Sequence, residues 1–325
     1  MQNIIIGIDI SSKTLDICLK QEKLIEYYKI ENTQKSIRKF FKSYQEEKLI
    51  VAMENTGRYN WELYDVLPEF NFTVFVINPL HLSKSQGLVR GKNDKEDSYR
   101  ITLFTEKNKE DLSPWMPSSL AIRKIKVLMT ERNARIKTKR RLIKQKNDYK
   151  KMRTLGLTQS LTNWNLQQIH QLDKQIKKIE ELIQQTIDLE PELKKQQKLM
   201  LSVPGVGKVV SWTMIAKTEG FKKITNPRKM ACYSGVVPFE YQSGTSVYRK
   251  PRVSMFADKQ MKSILHLAAM SAIRLENDLQ VYYRRKVKQG KNKMAVLNAV
   301  RNKIIHLIFA IIKSENLYQN RLVTS

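Results

Sequence analysis

Residues 3–10 read Asn3-Ile4-Ile5-Ile6-Gly7-Ile8-Asp9-Ile10, an apolar run holding one glycine and ending beside one carboxylate. Such a short run of β-branched residues predicts a buried strand. Leu49-Ile50-Val51-Ala52-Met53-Glu54 has the same form and ends on a second carboxylate. Asp9 and Glu54 then sit at or near strand ends, where open α/β sheets build their sites. Further on, Lys92-Asn93-Asp94-Lys95-Glu96-Asp97 sets two aspartates three residues apart, on one face of a helix. Taken singly, each carboxylate has an ordinary explanation, as a turn residue, a helix cap or a solvated surface charge. As an ordered set, Asp9, Glu54, Asp94 and Asp97 suit a pair of Mg²⁺ ions about 3.5–4 Å apart, the arrangement that cleaves phosphodiesters.

Working outward, residues 3–9, 14–20 and 24–29 read as three short strands with tight connections. Residues 34–45 predict a helix, 49–54 a strand, 61–67 a short helix and 72–77 a strand stopped by Asn78-Pro79. Residues 94–107 predict the helix that carries the aspartate pair. Three sequential strands followed by alternating helices and strands match an α/β RNase H-like sheet.

The order Asp, Glu, Asp, Asp resembles the insertion sequence 110 family of transposases. Its carriers are Gly7-Ile8-Asp9-Ile10, Met53-Glu54-Asn55-Thr56-Gly57 and Lys92-Asn93-Asp94-Lys95-Glu96-Asp97. That family has a DEDD domain like the Holliday-junction resolvase RuvC. The resemblance implies a RuvC-like fold and Mg²⁺ held by Asp9, Glu54, Asp94 and Asp97. Asn93 stands where the family has Thr and Ser98 where it has Ala, changes that look tolerable.

The chain has 325 residues, enough for two domains, and a net charge of +28 that points to a polyanionic partner. Residues 1–100 carry 15 Lys+Arg and 14 Asp+Glu, while the remaining 225 residues carry 44 and 17. The carboxylate domain is therefore nearly neutral, and the grip on nucleic acid lies beyond it. A non-enzymatic nucleic-acid scaffold would also be basic, with less need for carboxylates at strand ends. Two cysteines, Cys18 and Cys232, in apolar surroundings fit a reducing compartment. No basic leader precedes the first apolar run, and Ile304–Ile312 is too short to span a bilayer, so a cytoplasmic protein without membrane contact is expected.

Ser113-Pro114-Trp115-Met116-Pro117 breaks the chain and marks a domain boundary. From about 118 to 153 a long basic helix is predicted. Residues 123–153 hold 14 Lys+Arg against Glu131 and Asp148, which favours phosphate contact over a solvated face. Arg140, Arg141, Lys144 and Lys146 are the candidate contacts. In a second long helix, over 164–190, Ile169, Leu172, Ile176, Ile179 and Ile183 step by three and four. That is coiled-coil spacing, and packing within the chain against the basic helix would produce it equally. Trp164 is expected to pack in a core.

Leu201-Ser202-Val203-Pro204-Gly205-Val206-Gly207-Lys208 resembles a helix-hairpin-helix turn and lacks P-loop spacing. The run Ala231 to Pro238, followed by Gln242-Ser243-Gly244, resembles the C-terminal domain of the same transposase family. There a serine in an S-G pair is the nucleophile, which carries over to Ser243. Ser234, Ser246 and Ser254 compete with it, and four histidines supply no evident His-Asp partner set. Arg249, Lys250 and Arg252 follow and could clamp a phosphate. Phe256-Ala257-Asp258-Lys259-Gln260-Met261-Lys262 departs from the family's K-G-N-x-x-L-R. Arg284, Arg285 and Lys286 lie in a basic stretch with Tyr282 and Tyr283 that suits backbone binding. A core helix closes the chain over 294–312.

Together these features predict a RuvC-like domain over 1–112, a helical coiled-coil arm over 113–195 and a mostly α serine domain over 196–325. The expected function is transposition or site-specific recombination of DNA, with donor and target DNA as partners and a dimer or tetramer as the assembly. The resemblance implies a structured noncoding guide RNA. The alternatives are a RuvC-like metal-dependent junction nuclease and the non-enzymatic scaffold.

Overall fold

The computed structural model describes residues 4–85, 93–152, 154, 156–243 and 247–320, with the backbone alone for those between 241 and 250. The chain divides into two compact units, Met1–Pro117 and Ser118–Ser325.

Unit one is a five-stranded sheet in the order β3-β2-β1-β4-β5. Its strands are β1 (Ile4–Ile10), β2 (Thr14–Gln21), β3 (Leu24–Glu31), β4 (Leu49–Glu54) and β5 (Thr73–Ile77). β1 is antiparallel to β2 and parallel to β4, and β4 is parallel to β5. Helices α1 (Gln34–Lys42), α2 (Trp61–Val66), α3 (Pro79–Ser85) and α4 (Asp94–Asn108) complete the unit. The three-strand antiparallel start and the parallel continuation are those expected from the sequence, and they are consistent with an RNase H-like domain.

Strand pleating sorts the side chains of β1 and β4 by parity. Ile4, Ile6, Ile8 and Ile10 join Val51 and Met53 in a core with Ile37, Phe41 and Leu63 from α1 and α2. Ile5, Ile50 and Ala52 join a second core with Phe75, Leu82 and Ile101 on the α4 side. Gly7 and Asp9 share the parity of Ile5, and Glu54 that of Ala52.

α4 lies against β1 with little room between them. A Cβ at Gly7 would stand 2.3 Å from Thr102 Oγ1, 2.4 Å from the Ser98 carbonyl oxygen and 2.6 Å from the Thr102 nitrogen. Ser98, Thr102 and Thr105 are fully buried along that helix face, and Thr102 Oγ1 donates to the Cys18 carbonyl at 3.2 Å. Lys95 Nζ sits 4.1 Å from the centroid of the Tyr27 ring on β3, and Lys20 of β2 pairs with Glu106. The helix is thus pinned near both ends. The chain-breaking segment 113–117 stays with unit one, because Trp115 stacks on Tyr64 and its N–H donates to the Val74 carbonyl at 2.7 Å.

Unit two opens with α5 (Leu120–Tyr149) and α6 (Thr158–Asp188). They pack antiparallel as a hairpin: Arg132 Nε donates to Glu180 at 2.7 Å, Arg135 Nε to Gln175 at 3.0 Å, and Lys139 pairs with Asp173. The isoleucine seam closes within the chain. Ile179, Ile183 and Ile187 are buried with Ile122, Ile125 and Met129, while Ile169, Leu172 and Ile176 are half-buried further out. Trp164 is not in a core; it is 59% exposed. In a two-helix hairpin only one face of α6 is covered, and there Asn165 is buried, its Nδ2 3.5 Å from the Leu142 carbonyl.

The rest of unit two is α7 (Pro191–Leu201), α8 (Lys208–Thr218), α9 (Pro227–Tyr233), a hairpin of β6 (Phe239–Ser243) and β7 (Val247–Arg252), α10 (Lys259–Ala272), α11 (Asp278–Lys288) and α12 (Lys293–Ser314). The base of the arm belongs to the same core as these helices. α12 exceeds the apolar run read from sequence: at 22 residues it is long and apolar enough to cross a membrane by length and composition. It is built into the core instead, with Val300, Ile304, Ile305 and Ile308 fully buried.

A Gly7→Ala substitution is expected to destabilise unit one by about 1–3 kcal/mol, because the clash is with backbone and α4 must retreat. Urea denaturation checks the stability loss. Carbon-detected NMR should show the Asp9 pKa falling toward the ordinary carboxylate range.

Candidate functional site

β1 and β4 run in register with Ile8 opposite Met53, so Asp9 and Glu54 follow side by side at the ends of two central parallel strands. Both have the parity that faces α4. Asp94 is the first residue of α4 and Asp97 lies one turn on. Asn93 caps the helix, its Oδ1 accepting from the Lys95 N–H at 3.2 Å. Acidic residues in a first turn also suit the helix dipole, which would explain Asp94, Glu96 and Asp97 without any site.

Asp9 is where these carboxylates act electrostatically. Its pKa is raised from 3.8 to about 6, first by burial, then by Asp97 and Asp94, and slightly by Glu54; a backbone hydrogen bond at Ile10 opposes the rise. The other three carboxylates singled out in the sequence therefore all act on Asp9. The donors are hard oxygens, the chemistry that suits Mg²⁺ rather than a soft metal. Among the described residues, however, no three His, Cys, Asp or Glu side chains are grouped so as to hold an ion. Asp97 is turned toward Arg100, whose Nη1 is 2.8 Å away, while Arg100 Nη2 reaches Glu96 at 3.1 Å. Lys92 lies outside the described residues.

Two asparagines that sequence reading missed hold the strand ends in place. Asn60 is fully buried; its Oδ1 accepts from the Thr56 N–H and hydroxyl at 2.9 and 2.8 Å, and its Nδ2 donates to the Glu54 carbonyl at 2.9 Å. Asn32 Nδ2 donates to the Ser11 carbonyl at 2.9 Å and the Tyr59 carbonyl at 3.0 Å, tying the segment after Asp9 to the one after Glu54. Only the N-T-G turn signal at 55–57 pointed toward such a lock.

In unit two, Ser243 ends β6 and pairs in register with Val247; Tyr241 pairs with Arg249 and Phe239 with Arg252. Arg249 and Lys250 are thus strand residues of the same hairpin, and Arg252 at its end is exposed. Gly244 and Ser246 lie outside the described residues. Ser234 is fully buried and donates to the Met230 carbonyl at 2.7 Å. Asp258 caps α10 through the Met261 N–H, and it also receives Lys217 at 2.7 Å and the Tyr233 hydroxyl at 3.0 Å. The turn from Ser202 to Gly207 between α7 and α8 forms one wall of a cleft of about 610 Å³, facing Glu276, Asn277 and Tyr318.

On the arm, Arg140, Arg141 and Lys144 are exposed and Lys146 is half-buried, with no ion pair among the described residues. Arg132, Arg135 and Lys139 instead spend their charge on the hairpin. On α11, Arg284 and Arg285 are exposed and Lys286 is half-buried. Tyr282 is engaged by its own chain, with Lys303 Nζ 4.5 Å and Arg285 6.0 Å from its ring centroid.

Two family models match the chain. One, for a DEDD transposase of the IS110 type, covers residues 6–149; the other, for the transposase IS116/IS110/IS902 family, covers residues 197–284. The chain belongs to the IS110 family of transposases. It is 24% identical over 331 residues to the pilin gene-inverting protein of Moraxella bovis, with 99% of each chain covered. The same protein of Moraxella lacunata is 24% identical, again over 99% of both chains. An uncharacterized 43.6 kDa protein of insertion element IS110 from Streptomyces coelicolor is 23% identical over 38% of this chain and 30% of its own length. As an IS110-family transposase, this is a DNA-rearranging enzyme whose family's substrate is DNA.

The raised Asp9 pKa means that the folded state keeps a proton which the unfolded chain has released between 3.8 and about 6. Stability therefore falls as pH rises through that window. Asp9→Asn should melt higher than the wild type at pH 7.5 without divalent ions, and level with it near the unfolded pKa. Paired melting curves check this; a variant no more stable at pH 7.5 would mean that neither burial nor the neighbouring carboxylates penalise the charge on Asp9.

Proposed function

We propose that the protein is a conservative DNA recombinase in which Asp9, Glu54, Asp94 and Asp97 bind Mg²⁺ and Ser243 attacks the DNA strand, directed by a structured noncoding RNA. The observation that carries the metal half is the pressure of three carboxylates on Asp9, which a divalent cation would relieve. Bound there, Mg²⁺ would polarise a phosphodiester and offset the charge that develops on it. Arg100 is the natural gate in this reading, since Asp97 must exchange its guanidinium for the ion.

For the serine half, support comes from the position of Ser243 at the end of a hairpin that also bears Arg249, Lys250 and Arg252, and from the burial of Ser234. In the proposed step, the serine hydroxyl attacks phosphorus, a phosphoserine bond forms, and the deoxyribose oxygen leaves with a proton. The covalent bond conserves the energy of the broken linkage, so rejoining needs no nucleotide. Relatives named for inverting a gene fit that economy, because inversion reconnects every end it makes. The basic arm supplies phosphate contacts in the same reading. Assembly as a dimer or tetramer would let a neutral carboxylate domain and a basic serine domain meet across subunits.

The chemistry is tested by incubating protein, guide RNA and labelled DNA with Mg²⁺ and then denaturing. Label should travel with the peptide containing Gln242-Ser243-Gly244, and Ser243→Ala should lose both cleavage and joining. Cleavage by that variant at the wild-type rate would leave a nuclease that uses metal-activated water.

Replacing Arg140, Arg141, Lys144 and Lys146 by Ala should weaken DNA binding and flatten its salt dependence. Each lost phosphate contact lowers the log–log slope by roughly 0.9 for duplex DNA. A salt titration with unchanged slope would reduce this face of α5 to a solvated surface.

A further inference from the structure

Unit two buries a cation that neither the serine hairpin nor the arm explains. Arg301 on α12 is only 6% exposed. Its Nη2 lies 2.6 Å from His266 Nδ1 on α10, its Nη1 donates to Asn298 Oδ1 at 3.3 Å, and its Nε is buried without a partner among the described residues. No carboxylate among the described residues pairs with it, and burial alone depresses its pKa. A guanidinium stays charged in proteins, and a buried charge held by neutral groups alone is costly. A staple between two helices has no need of that charge. An anion arriving from outside would balance it.

The same contact fixes the state of His266. Arginine has no acceptor, so Nδ1 must accept and the ring proton must reside on Nε2. Burial and the neighbouring Arg301 hold the imidazole pKa below its ordinary value, which keeps the ring neutral. Nε2 has no hydrogen-bond partner among the described residues and is not buried. It is a donor of fixed tautomer, polarised by the positive charge behind it. The location suits nucleic acid. Asn298, which holds Arg301, also donates Nδ2 to the Val236 carbonyl at 2.7 Å, three residues before β6. Lys262 lies one turn before His266 on the same face of α10.

We propose that His266 contacts the DNA backbone, donating its Nε2–H to a phosphate oxygen, and that Arg301 is the positioning residue whose buried charge this phosphate balances. The proposal rests on the reading of the chain as a DNA recombinase.

The test uses the full chain and a mixed-sequence DNA duplex. In ¹⁵N NMR, His266 should show the neutral Nε2–H tautomer, and its Nε2 resonance should move when duplex is added. His266→Ala should weaken duplex binding about tenfold, the size of a hydrogen bond to a charged group. The salt slope should stay unchanged, because a neutral donor displaces no counterion. His266→Gln, which keeps a donor near the position of Nε2, should retain most of the affinity. Arg301→Met should free the tautomer and weaken binding while leaving the melting temperature equal or higher, since it removes a buried unpaired charge. A lower melting temperature with unaltered binding would reduce the pair to a helix staple and overturn the proposal. So would an Nε2 resonance that moves with single-stranded RNA but not with duplex DNA, or one that stays still while the wild type binds duplex. A wild type that binds no duplex at all would overturn the underlying reading as well.

Discussion

The close approach of α4 to β1 at Gly7 is the constraint on which the carboxylate face depends. The helix backbone occupies the space where a side chain would begin. Only a residue without Cβ in the strand, opposite small buried side chains at 98, 102 and 105, lets the two surfaces close. Asp9 lies two residues beyond that contact on the same strand face, and the first turn of α4 carries Asp94 and Asp97. Packing and electrostatics oppose each other here: the sheet and helix associate through apolar burial, and their association drives like charges together. Burial first, and then Asp97 and Asp94, raise the pKa of Asp9.

The supports around this contact act on backbone rather than on the carboxylates themselves. Asn60 holds the turn after Glu54, and Asn32 bridges the segments after β1 and before α2. Lys95 on Tyr27 and Lys20 with Glu106 hold the helix. Asp97 is engaged by a cation of its own helix, Arg100, which also reaches Glu96.

Charge is organised differently in unit two. Part of the positive charge of α5 is consumed within the hairpin, where Arg132, Arg135 and Lys139 meet α6. What is left on Arg140, Arg141 and Lys144 faces solvent. The same separation of uses recurs at the core of the unit. Lys217 is neutralised by Asp258 beside Tyr233, whereas Arg301 meets, among the described residues, His266 and Asn298. The first charge is paired within the fold; the second is buried among neutral groups.

The strands of unit one and its helices α1, α2 and α4 were legible from the chain because each carries its own periodicity and stop signal, from the isoleucine run of β1 to Asn78-Pro79 after β5; α3, which starts at that stop, was not. The four carboxylates were legible because strand ends and an i, i+3 pair are local patterns. That they form one set was read from their order; what places them relative to one another is parity, register and the missing Cβ of Gly7 acting together across elements far apart in sequence. The isoleucine seam of α6 was readable as a seam, yet its partner was undetermined: spacing of three and four describes a stripe without saying what covers it. Trp164 was misjudged because its size favours burial while its helix face decides exposure. Asn60, Asn32, Arg301 and His266 gave little or no local signal. A buried polar residue is defined by what the folded chain brings to it, and hydrogen-bond partners supplied by other elements do not exist until tertiary packing creates them.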